Sequence, residues 1–171
     1  ISSFDDGTTE ALVCVNLYED VIQAALVNTR WRFATNQKVL NQLSDAPTGR
    51  YDLAYQLPSD LIMLHAITVN DNLVDYQVYG DKVYADTATS DVVIADYTFR
   101  ANEQDFPSYF TLAVEFSLAV ILATSIARDP ALASLMTQRA DAAMAKARST
   151  DSQQQTTRKL ETSRFLTARR S

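Results

Sequence analysis

The stretch Asp105–Arg128, DFPSYFTLAVEFSLAVILATSIAR, constrains this chain more than any other. From Phe110 to Ala127 only Thr111, Glu115, Ser117, Thr124 and Ser125 interrupt an apolar run. A surface helix carries one apolar stripe, so a helix apolar on most sides needs cover on most sides. Its most apolar part, Phe116–Ala123, falls far short of the roughly 20 residues that a bilayer requires. The expectation is a helix covered by protein: by the rest of its chain, by neighbouring subunits, or by both.

A chain of 171 residues makes one domain, or a core with one inserted subdomain, and is long enough to bury a real core. With only 3 Gly, loops that cradle phosphate through glycine backbone are excluded. The net charge of −6 is unevenly spread, because residues from Arg158 onward carry +4 and leave −10 on the rest. An acidic body argues against a DNA-wrapping surface, and the basic end suits either an acidic partner or a solvated terminus. Cys14 stands alone, so no internal disulfide is expected. Ile1–Gly7 is short and acidic and lacks the pattern of a signal peptide.

Taken in order, the chain begins with a polar lead-in that ends in two possible helix caps, Thr8 and Thr9. The spacing of Ala11, Val15, Tyr18, Ile22 and Ala25 predicts a helix over about Glu10–Asn28 with one wet side. Trp31, the sole tryptophan, follows between Arg30 and Arg32. Trp seldom stays exposed and Arg stacks on its face, so the segment is either a helix-end anchor or an inter-subunit contact. Trp31, Phe33, Phe110 and Phe116 are the candidates for packing between subunits. Residues 35–45 fit a strand or a helical turn equally.

After the turn signal DAPTG the texture becomes strand-like. YDLAYQL alternates, Leu61–Asn70 is rich in β-branched and apolar residues, DYQVY and KVYAD flank Gly80-Asp81 as a hairpin, and Val92–Arg100 is a further strand. The apolar helix then begins near Pro107 and ends with Arg128 in its last turn. Asp129-Pro130 reads as an N-cap followed by Pro at the first helical position, which makes the next helix an antiparallel partner or a sharp corner. That helix runs from Pro130 to about Arg148, with Leu132, Leu135, Met136, Arg139, Ala140, Ala143, Met144 and Ala147 inward. From Ser149 the chain reads as a polar linker, and then as a tail with Leu160, Phe165 and Leu166 among basic residues.

These segments predict an α+β fold. An α-helical bundle core comprises residues 1–49 and 102–152. A β-rich insertion over 50–101 lies between helix 1 and the C-terminal helix pair, and an extended docking tail covers 153–171.

No catalytic, cofactor or metal constellation emerges. His65 is the only His and has no Cys cluster to make a zinc site. Asp71-Asn72 lacks the Gly and terminal Glu of a calcium loop. Glu115, within the apolar helix, must reach an Arg or the solvent, since an unpaired buried charge is costly.

Asn16-Leu17-Tyr18 with Val21-Ile22, WRFATNQ, YDLAYQLPSDL, Tyr97–Arg100, FPSYFTLAVEFSLAVILA and SRFLTARR occur in this order along the chain. The series resembles the head-to-tail adaptor (connector) proteins of tailed bacteriophages, especially those of short-tailed phages, and the related tail tubular proteins. It spans nearly the whole chain, and order and spacing carry it. The resemblance implies a structural virion protein, not an enzyme, assembled in the host cytoplasm and placed at the head–tail interface. It implies a homo-oligomeric ring, usually a dodecamer, beneath the portal protein. Such a ring extends the DNA channel, lets DNA pass without specific binding, and carries the tail nozzle and fibres. It also implies that the C-terminal segment reaches the portal, which makes Arg158, Lys159, Arg164, Phe165, Leu166, Arg169 and Arg170 the expected docking residues. A tail-completion protein farther from the portal and a cellular α+β protein-interaction module remain as alternatives.

Overall fold

The computed structural model describes residues 7–44 and 49–154. Helix α1 (Thr9–Val27) starts where Thr8 turns its hydroxyl onto the Ala11 amide, 3.2 Å away. It buries Ala11, Cys14, Ile22, Ala25 and Leu26, while Leu12 and Val15 of the expected stripe stay exposed. A single 3-10 turn, Arg32–Ala34, then redirects the chain straight into strand.

Eight strands follow: β1 (Thr35–Val39), β2 (Asn41–Gln42), β3 (Leu53–Gln56), β4 (Leu61–Val69), β5 (Asn72–Leu73), β6 (Tyr76–Tyr79), β7 (Lys82–Ala85) and β8 (Val93–Phe99). They form two antiparallel four-stranded sheets, ordered β1-β8-β4-β5 and β2-β3-β7-β6. The chain passes from the first sheet to the second at Leu40, which is buried and donates its amide to Val93 O at 2.9 Å. Side chains from both sheets, among them Tyr55, Ile67, Val83, Val93, Ala95 and Tyr97, bury one another in a shared core. Two tight turns have local causes. Gly80 takes a positive φ between β6 and β7, as expected for that hairpin. Asn70 and Asp71 both take positive φ between β4 and β5, a conformation that Asn and Asp tolerate better than most residues.

Helices α2 (Ser108–Ser125) and α3 (Pro130–Gln153) close the chain as an antiparallel hairpin. Asp129 caps α3 as expected, its carboxylate accepting from the Ala131 and Leu132 amides, and Pro130 opens the first turn. Arg128 lies beyond α2 at φ 50°, not in its last turn as the sequence suggested. Ala133, Ala140 and Ala147 recur every seven residues on the buried side of α3, and their small side chains let the two helix axes approach.

The expected architecture, a helical bundle core with a β-rich insertion, is therefore corrected. Strand begins at Thr35, not near residue 50, and β1 pairs with β8 while β2 pairs with β3. Residues assigned to the helical part thus complete both sheets. The sheets own a core of eight buried residues, so they form the centre of the architecture, and the helices add a second layer. The misreading has a physical source. β1 is an edge strand whose side chains are largely exposed, so TNQKV has no alternating apolar pattern to announce it.

The helical core centres on Trp31. Its indole is fully buried and donates from Nε1 to Ala25 O at 2.8 Å, where α1 ends. Phe33, Tyr109 and Phe110 surround it, with ring centroids 6.0, 6.4 and 5.2 Å away. Trp31→Ala is expected to cost about 3–5 kcal/mol through the cavity it leaves. Because the variant has no tryptophan left, the loss should be read from the urea midpoint by circular dichroism rather than by fluorescence.

Candidate functional site

The apolar helix is the place to look for function, because its own chain covers only part of it. Within α2, Phe110, Ala113, Val114 and Ala123 are buried, and Leu112 keeps 47% of its surface. The positions Ser108, Leu112, Glu115, Ala119, Leu122 and Ile126 advance by alternating steps of four and three, which keeps them on one stripe of a helix. That stripe faces outward beside α3. Near the start of α2 it forms a depression of about 800 Å³, walled on the other side by Ala143, Lys146, Ala147 and Thr150. Near the end of α2 it forms a second of about 410 Å³, walled by Leu132 and Met136 and by Glu10 of α1. Both depressions lie along this one stripe of α2, and the groove of the hairpin comprises the two. The depression near the end of α2 is apolar apart from Glu10, whereas the one near its start mixes Phe106, Leu112 and Ala143 with Ser108, Thr111, Lys146 and Thr150, and Glu115 is exposed there, as the sequence requires.

By length and composition α2 is also long and apolar enough to cross a membrane. Yet α3 lies along it and exposes Arg139, Asp141, Lys146 and Arg148. A lipid environment around the hairpin would meet those charges.

The residues expected to pack between subunits divide. Trp31 and Phe110 are fully buried by their own chain, which removes both as interface candidates. Phe33 is half-buried against the same cluster, and Phe116 is half-buried on α2. Arg158, Lys159, Arg164, Phe165, Leu166, Arg169 and Arg170, expected to dock on a portal, lie outside the described residues.

Asp151 is the residue that sequence reading missed. The polar run from Ser149 reads as linker, but α3 continues to Gln153. Asp151 is 4% exposed, accepts the Arg32 amide at 3.1 Å and the Tyr109 hydroxyl at 2.8 Å. Burial and this carboxylate push the Tyr109 phenol up to about 12, so it stays a donor at any physiological pH. The only sequence signal was a lone Asp in an otherwise uncharged stretch. Without Asp151 the amide and the hydroxyl would both lose their partner, so Asp151→Ala should cost about 1–3 kcal/mol in denaturant titration.

The remaining polar clusters are structural. His65 sits at an irregularity of β4, its Nε2 2.8 Å from Thr98 Oγ1. Burial, aided by nearby Arg30, holds the imidazole below its ordinary range, so it is neutral at pH 7. Arg30 pairs with Asp96, whose other oxygen is buried without a partner among the described residues. Arg100 ties Glu19 of α1 to Glu103, at 2.8 and 2.6 Å. Among the described residues no group of acidic, His or Cys side chains is arranged to hold a metal ion.

Hydrogen bonding to Arg100 lowers both the Glu19 and the Glu103 carboxyls. Groups with a depressed folded pKa stabilise above their unfolded value and lose that contribution as pH falls through the folded one. Arg100→Gln should therefore destabilise by about 1 kcal/mol at neutral pH, small because both carboxylates are half exposed. The gap from the parent should shrink below about pH 4.3. Urea midpoints at pH 7 and pH 3 measure it.

In the comparisons with known proteins, no family model matches the chain, and no curated protein matches it at a significant level.

Proposed function

We propose that this chain is a structural virion protein of the head-to-tail adaptor kind, a subunit of a ring beneath the portal that continues the DNA channel and carries the tail. The observation that supports the reading is the exposed apolar groove of the α2–α3 hairpin. A helix this apolar with four buried residues leaves surface that association with other protein would remove from water. Head-to-tail rings need two different patches on each subunit, and the groove is one candidate. The acidic body supports a channel through which DNA slides without adhering. The ordered series of resembling segments is what favours this reading over other protein assemblies. The portal-facing role falls to the basic tail, Arg158–Ser171, with Phe165 and Leu166 as its apolar anchors.

Mixing the purified chain with the portal particles encoded alongside it tests the reading. The expected result is a ring on the portal in electron-microscope class averages, with a mass gain corresponding to many copies. Deleting Arg158–Ser171 should abolish that binding, while circular dichroism of the shortened chain stays unchanged. A chain that never associates with portal, or a shortened chain that binds normally, would overturn the proposal. A stable dimer that ignores portal would favour a cellular interaction module.

A further inference from the structure

The groove between α2 and α3 has an occupant within reach. Helix α3 ends at Gln153, about one turn beyond Thr150, which walls the near end of the groove. Seventeen residues follow Gln154. Even at the helical rise of about 1.5 Å per residue they extend about 25 Å, close to the length of α2.

We propose that residues 158–171 fold back into the groove of their own chain. The chemistry of the two surfaces matches. Leu160, Phe165 and Leu166 supply large apolar groups for a floor that includes Leu112, Ala119 and Leu122. The segment carries +4. The groove presents Glu115 at its middle and Glu10 at its far end, against Lys146 as the like charge on the opposite wall. The covalent tether decides between this chain's tail and a neighbour's. A segment attached one turn from its site competes at an effective concentration on the order of millimolar, well above that of a second copy in dilute solution. A tail held there is withheld from any other partner until it leaves.

The inference goes beyond the adaptor reading and does not depend on it, because its test uses the free full-length chain with no portal present. Zero-length carbodiimide coupling joins a Lys amine to a carboxylate in direct contact, forming an amide with loss of water. Peptide mapping should find Lys159 joined to Glu115, in a product of monomer mass. Leu112→Asp should lower that yield several-fold, and so should the double change Phe165→Ser with Leu166→Ser. Leu112 is exposed, so the first variant is expected to keep its fold, and circular dichroism checks this. Absence of that link, a link found only in products of two copies, or yields unchanged in both variants would each overturn the inference.

Discussion

One indole ring holds the helical layer together. Trp31 closes α1 by bonding the Ala25 carbonyl, and its faces and edges meet aromatic rings from the next turn and from α2. Asp151 adds a second tie from the far end of α3, gripping the backbone beside Trp31 and the Tyr109 hydroxyl. Elements distant in sequence are thus fixed within a few residues of one side chain. That arrangement explains why the chain can turn from helix to strand in a single 3-10 turn. The direction of the turn is set by a buried anchor rather than by a Gly or Pro.

The helices, the β6–β7 hairpin and the Asp129-Pro130 corner were legible because each has a local cause: periodicity, a glycine at a positive φ, a capping carboxylate. The architecture was not legible to the same degree. Pairing β1 with β8 joins residues about 60 positions apart, and no local pattern in TNQKV reports a partner that far away. The helical extension through Asp151 escaped for a related reason. A polar residue that becomes buried through partners at Arg32 and Tyr109 looks like linker until those partners are known. Trp31 shows the same ambiguity, since an anchor and an interface residue have identical composition, and only its burial separates them.

The apolar helix presents the opposite case. Its composition demands cover on several sides, and α1 and α3 supply only part of it. The unmet part of that demand falls on a single stripe beside α3, framed by Glu10, Glu115 and Lys146. An interaction surface with an apolar floor and few charges at its rim discriminates partners by shape and by the placement of those charges, more than by bulk attraction. Polar clusters elsewhere, including His65 with Thr98 and Arg100 with its carboxylates, are spent on internal order.

Phe99, the last residue of β8, contributes to both the helical core and the core between the sheets. It makes the two layers share a wall. Opening either one would strip cover from the other, so the layers are thermodynamically coupled despite having separate cores. Because β8 is an inner strand of the first sheet, local opening of the helical hairpin should loosen that strand as well.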